Sequence, residues 1–358
     1  MGSRRFDKVM VIFALALATL LPGLPALALD GHGQYAGAMG RAGLALNLGA
    51  DSFFANPALL GLSSRTERTF IGSFGFGDDL VDHGGQFRFE RPQTDGSITF
   101  MAKNLALTIE SRTTFEEHQD FGSYSTYRGD KLTLLELDWA FGTGPISLGV
   151  RAQLVATSVR GEVTLNNDQL ILDSFIQSAI ARYESVGELS SVNFGLGLLL
   201  DYEWIAMGVV VGQFAYSTGE DPLTLDGDSL LKTLSWGLSL SSPTYNASNE
   251  LRLFRAQGAL DLVNLGSNET REARAGLSVK LQLLPDWSVS LLTGYRELKK
   301  QASDLIRISI EEGWHSIGLG GELGNAELLV LYEYPTAWYT NSAATALSTL
   351  SFSVSIRL

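Results

Sequence analysis

The stretch that most constrains the chain is Arg271 to Tyr295, REARAGLSVKLQLLPDWSVSLLTGY. Ala273, Ala275, Leu277, Val279, Leu281 and Leu283 alternate there with Arg274, Gly276, Ser278, Lys280 and Gln282. A period of two sends one set to each face of a strand. Past the turn signal Pro285-Asp286, Trp287, Val289 and Leu291 alternate with Ser288 and Ser290, so the two runs read as a hairpin with one apolar and one polar face. Lipid offers backbone groups no hydrogen-bond partner, and a closed barrel leaves no open edge. Hairpins of this kind behind an export signal therefore imply an all-β protein, an antiparallel transmembrane β-barrel of about 14 strands.

The export signal is read from Arg4, Arg5 and Lys8, an apolar run from Val9 to Leu21, the breakers Pro22 and Gly23, and the small-residue triplet Ala26-Leu27-Ala28. Residues 1–28 are expected to be a cleaved signal peptide, because the run is shorter than the roughly 18 residues that a spanning helix needs. Residues 29–65 form an N-terminal hatch in this reading and residues 66–358 the barrel. The expected location is the outer membrane of a diderm bacterium, with both termini periplasmic. Its partners are then outer-membrane lipid and, during biogenesis, the barrel-insertion machinery.

Composition removes several classes of function. The chain of 358 residues has no cysteine, which excludes disulfides, thiol catalysis and thiolate metal sites. Its formal charge of −13 argues against nucleic acid as a partner. No cofactor, no metal site and no catalytic residue is expected. The candidate calcium pair Asp226 and Asp228 is too sparse in oxygen ligands, and no phosphate-binding glycine loop occurs. Four histidines are available to an enzyme, His32, His83, His118 and His315; only His83 beside Asp82 and His315 near Glu311 and Glu312 have suggestive neighbours, and adjacent residues on a strand point to opposite faces, so no enzyme activity is expected.

Short and long connections alternate along the chain, and this parity guides the strand count. A second strand is expected at Gly85 to Arg91. Ser97 to Thr113 is expected as a single third strand with a register slip at Lys103-Asn104, which keeps the count even. Alternation assigns Arg88, Glu90, Glu136, Asp138, Arg151, Arg274, Lys280 and Arg296 to the lumen, with Gln86, Gln153, Gln282, Glu322, Glu327 and Glu333. Trp139, Tyr202, Trp204, Trp287, Trp314, Tyr332 and Tyr334 fall near strand ends, as an interfacial aromatic girdle does. Phe175, Ile176, Ala179, Ile180 and Tyr183 have helical spacing within a connection read as Arg160 to Leu189.

Before the first strand, the residues from Leu29 to Arg65 are too apolar for a solvated tail and do not alternate, as expected of a plug buried in the lumen. GAMGRAG, with Gly37, Gly40 and Gly43, then Asp51 and the run Asn56-Pro57-Ala58-Leu59-Leu60, resembles the N-terminal hatch of the long-chain fatty-acid transporter family of outer-membrane barrels, the FadL/TodX type. The resemblance covers Tyr35 to Ser64. It implies a hatch that closes the barrel toward the periplasm, passive uptake of small hydrophobic, fatty-acid-like ligands, and a lateral opening in the third strand, placed here at Lys103 and Asn104. The alternatives are a general or narrow polar-solute porin, and a scaffold or adhesin acting through its extracellular loops.

Overall fold

The computed structural model describes residues 34–39, 41–47, 52–62, 68–82, 87–89, 93–121, 124–166, 188–202, 204–217, 233–243, 245–246, 253–266, 271–284, 286–302, 308–335 and 346–358. The strands are β1 (Arg68–Asp82), β2 (Phe87–Phe89), β3 (Gln93–Ala102), β4 (Leu105–Asp120), β5 (Tyr124–Thr143), β6 (Ile146–Asn166), β7 (Glu188–Tyr202) and β8 (Ile205–Ser217). They continue with β9 (Leu234–Ser241), β10 (Tyr245–Asn246), β11 (Leu253–Val263), β12 (Glu272–Leu284), β13 (Trp287–Ala302), β14 (Ile308–Leu323), β15 (Ala326–Pro335) and β16 (Ala346–Arg357).

Fourteen of these form one closed antiparallel barrel. Each barrel strand pairs with its sequence neighbour, and β16 closes on β1 from Thr69↔Arg357 to Leu80↔Ala346. The remaining two are short: β2 pairs only with the far end of β1, and β10 only with the start of β11.

Side-chain direction follows the alternation seen in the sequence. Leu277, Leu291, Leu319 and Leu328 are about half exposed, whereas Ser278, Ser290 and Ser316 on the same strands are buried. Greasy side chains thus cover the outside, as lipid requires, and polar residues alternate with them on the inside, joined there by apolar ones such as Leu292, Leu329 and Leu331. Among the described residues no helix is long and apolar enough to cross a membrane. At the short-turn end Trp139, Tyr202, Trp204 and Trp287 are exposed and outward, as an interfacial girdle is. Trp314 departs from that expectation. It shares the parity of the buried Ser316 and faces inward, with the Arg296 guanidinium 4.8 Å above its ring.

Two strand assignments are corrected. The residues expected as one third strand are a hairpin, β3 and β4, paired without a break from Gln93↔Thr114 to Ala102↔Leu105. Lys103 and Asn104 form its two-residue turn, with Lys103 at φ 56° as the turns that suit twisted hairpins demand. Asn104 donates to the carbonyl of Ala140 at 2.7 Å and accepts from its amide at 2.9 Å, fastening the turn to β5. The expected second strand shrinks to Phe87–Phe89, an extension of the β1 hairpin. One strand was therefore missed and one counted in excess, and the total of fourteen stands. The long connection is shorter than expected, since β6 runs to Asn166 and β7 begins at Glu188; the helical spacing at 175–183 lies outside the described residues.

Candidate functional site: a lumen fitted around the N-terminal segment

The described N-terminal residues, a short helix Gln34–Ala38 and two 3-10 turns Ser52–Phe54 and Pro57–Gly61, lie inside the cylinder. They touch the inward set of each strand they meet. Ala38, Met39, Ala42, Phe53, Ala58 and Leu59 are fully buried. Met39, Ala42 and Leu46 pack against Leu292, Leu329 and Leu331, while Phe53, Leu59 and Leu60 pack against Ile71, Met101 and Leu199.

Why so apolar a segment can sit against a wall of strands is answered by glycines on that wall. A methyl group added at Gly237 would come within 2.7 Å of the Leu44 side chain, at Gly276 within 2.6 Å of the Met39 side chain, and at Gly318 within 2.5 Å of Ala38. At Gly142, Gly149, Gly197 and Gly208 it would overlap the Gly61 backbone, the Pro57-Ala58 backbone, the Asn56 side chain and the Leu44 carbonyl. These seven positions lie on seven different strands, β5, β6, β7, β8, β9, β12 and β14. Strand glycine normally weakens packing and marks a close approach of another backbone. Here seven of the fourteen barrel strands are cut back to glycine where the segment lies against them.

Polar wall groups then satisfy the segment's backbone, which burial would otherwise leave unpaired at a cost of about 1–3 kcal/mol each. Ser147 donates to the Ala58 carbonyl at 2.6 Å, Ser239 to Ala45 at 2.8 Å, Ser316 to Ala38 at 3.0 Å and Arg274 to Arg41 at 3.3 Å. One oxygen of Asp261 accepts from the amides of Gly43 and Leu44 at 2.6 and 2.9 Å. Within the segment, Asn56 caps the second turn, accepting from Ala58 at 3.0 Å, and its amide donates to Leu44 at 2.8 Å and to the wall at Leu198 at 3.2 Å.

Two charged clusters flank the segment. On β5 and β6, Arg151 pairs with Asp138 at 2.7 Å and Glu136 at 3.3 Å, and its other nitrogens donate to the carbonyls of Phe54 and Phe53 at 2.8 and 2.9 Å. Gln153 donates to Glu136. On β12, β13 and β15, Arg274 pairs with Glu272, Arg296 lies 3.6 Å from Glu272, and Arg41 of the segment pairs with Glu333 at 3.3 Å. Lys280 pairs separately with Glu322 at 2.6 Å.

Glu136, Asp138, Arg151, Arg274, Lys280 and Arg296 therefore sit on inward-facing positions, and the first four border the N-terminal segment or its cluster. Gly37, where an added methyl would come within 2.7 Å of Leu331, and Gly43, Asn56, Pro57 and Ala58 make the close contacts of the segment itself. Gly40, Asp51, Gln86 and Glu90 lie outside the described residues, as do His32, His83 and residues 1–33; the side chains of Arg88 and His118 are likewise outside them. Lys103 and Asn104 are not a gap in the wall, since they close a hairpin whose ladder is continuous. His315 faces outward, its ring 5.1 Å from that of Tyr295 and 5.5 Å from that of Tyr334. Asp261 and the wall glycines were not singled out from sequence. Their signal was present, because glycine replaces a polar residue on the inward beat at Gly197, Gly208 and Gly237.

No family model matches the sequence, and no curated protein matches it significantly. Solved structures do match. The deltaS2S3 mutant of the monoaromatic hydrocarbon channel TodX superposes with a TM-score of 0.56 at 14% identity, covering 92% of this chain and 99% of that one. Its deltaS2 mutant gives 0.54 at 12%, with coverage of 92% and 99%. The fold is that of the FadL/TodX-type fourteen-strand barrel. The monoaromatic hydrocarbon channel CymD agrees, with a TM-score of 0.52, 13% identity and coverage of 93% and 99%. At such identities the likeness fixes strand number and closure, and leaves the cargo to be argued from this chain's own residues.

Proposed function

We propose that this protein is an outer-membrane channel for passive uptake of small hydrophobic molecules, with its N-terminal segment as a hatch on the periplasmic side. The carrying observation is the fit of that segment into the lumen. A wall cut back to glycine on seven strands and bonded to the segment's backbone does not leave the open aqueous bore that a general porin needs. Hydrophobic cargo requires only local passages, and the channels that share this fold carry monoaromatic hydrocarbons by their own descriptions. In this reading residues 1–28 direct export and are removed, the barrel-insertion machinery places the strands, and both termini face the periplasm together with the tight turns at Lys103-Asn104, Gly144-Pro145 and Gly324-Asn325. The protein works without enzyme chemistry, cofactor or metal. The scaffold or adhesin alternative rests on the connection read as Arg160 to Leu189, of which residues 167–187 lie outside the described residues.

The test is uptake by cells that lack their own hydrophobic-compound channels. Expression of the chain is expected to speed entry of labelled toluene or oleate while proteoliposomes holding the purified barrel stay impermeable to arabinose. Arabinose permeation without hydrocarbon uptake refutes the proposal.

A further inference from the structure

At the short-turn end a cavity of about 350 Å³ lies between the N-terminal segment and the wall from β5 to β11. Its apolar surface comes from Ala45 and Leu62 of the segment and from Pro145 and Ala206 of the wall. The volume is at the low end of small-molecule sites.

Its polar groups are divided between two sides. On β9 and β11, Ser241 accepts from Gln257 at 2.9 Å and from Arg255 at 3.5 Å, and no acceptor among the described residues takes its own hydroxyl proton. Arg255 is exposed at the cavity mouth, and that long bond is the single one its side chain makes among the described residues. Across the cavity, Asp201 ends the row Asp201↔Ala206↔Ser239 on β7, β8 and β9, and its carboxylate accepts no bond from the described residues. Two strand spacings separate its backbone from that of Ser239, about 10 Å. Donors thus face an acceptor across the cavity. A carboxylate ligand would satisfy Arg255 but meet Asp201, and a plain hydrocarbon would make no polar contact with either side. A hydroxyl answers both, since its oxygen accepts and its proton donates.

We infer that this cavity is a binding site for the hydroxyl end of a small uncharged amphiphile of the phenol or alcohol class. The inference rests on the channel reading above for its place on the cargo's path, and it names the cargo chemistry that the site selects. Asp201 accepts the ligand's proton, Arg255 and Ser241 donate to its oxygen, and the ring or chain lies against Leu62, Pro145 and Ala206.

The chain has no cysteine, so Ala206→Cys in the full-length purified barrel supplies a unique thiol in the cavity, and Leu62→Cys supplies one from the opposite side if the first variant fails to fold. The rate of labelling by a small methanethiosulfonate reagent is then followed with 4-ethylphenol, 4-ethylbenzoate or ethylbenzene present. 4-Ethylphenol is expected to slow labelling about fivefold at about four times its Kd, since the rate follows the unliganded fraction. The other two compounds at that concentration leave the rate within about twofold, and adding Asp201→Asn with Arg255→Gln abolishes the protection. Equal protection by all three compounds, protection by none, or protection that survives the double substitution overturns the inference. Uptake in the same variants separates the two readings. Protection without hydrophobic uptake removes the channel and keeps the site, whereas uptake without protection removes the site alone.

Discussion

Replacing Arg151 by Met tests whether the lumen holds the N-terminal segment through the wall's charges. Arg151 makes two kinds of contact, ion pairs to Asp138 and Glu136 within the wall and two hydrogen bonds to Phe53 and Phe54 in the segment. Removing one partner of a buried pair costs about 3–5 kcal/mol, and this part weakens the barrel itself. The two carbonyls left unpaired cost about 1–3 kcal/mol each, and this part weakens docking alone. With water entering to recover part of it, about 2–3 kcal/mol remains, or about 30-fold to 150-fold in the undocking equilibrium at 1.4 kcal/mol per tenfold. Arg151→Lys keeps a charge but cannot fork to two carbonyls, and falls between. Amide hydrogen exchange on the detergent-solubilised barrel reads this directly. Residues 52–62 are expected to exchange faster by that factor, while the β12 and β13 amides, on the other side of the cylinder, change far less. If the segment's protection stays within about threefold of wild type while the strands loosen, Arg151 serves the wall and the docking argument is wrong.

Other outcomes follow from the same contacts. Gly208→Val and Gly276→Val collide with Leu44 and Met39 and are expected to lower thermal stability in detergent by about 1–3 kcal/mol each, whereas Gly321→Val, with open space around it, stays near wild type. Lys103→Gly relieves a left-handed residue at the β3–β4 turn and is expected to raise stability by about 1 kcal/mol in denaturant titrations; a loss would show that the Lys103 side chain outweighs its backbone strain. Leu277→Arg, mid-strand on the lipid face, is expected to cost about 2–4 kcal/mol in a bilayer-unfolding assay, and a neutral result would contradict the outward assignment of that parity.

How much could be read from sequence varied with the range of the interaction. Alternation on β12 and β13 is local, and it gave the strand pair, its faces and the lumen positions of Arg274, Lys280 and Arg296. The hairpin at Lys103-Asn104 was misread because a two-residue turn and a bulge both shift the alternation by one place: Met101 and Ala106 are both inward, odd before and even after. Strand parity was then used to choose, and the short Phe87–Phe89 run, mistaken for a spanning strand, tipped the choice the wrong way. Trp314 was assigned to the girdle from its place near a strand end, although its parity with Ser316 and Gly318 already pointed inward. The seat itself was not legible, because a glycine on an inward beat shows where a side chain is missing and not what fills the space. Only closure of the barrel brings Gly208 and Gly237 beside Leu44, and Asp261 beside Gly43. The polar cavity depends on the same closure, since Asp201 and Arg255 are far apart in sequence and meet across three strand boundaries.

The seven hollowed positions also bear on the order of assembly. A cylinder whose inner contour interlocks with its filling on seven strands resists being loaded afterwards from one mouth. The contour predicts that the strands wrap the leading residues as they zip together, with the filling as the former that sets the bore. Shortening the chain by its first sixty residues then alters what the remaining strands curl around, and the yield of sealed rings becomes the quantity that reports it.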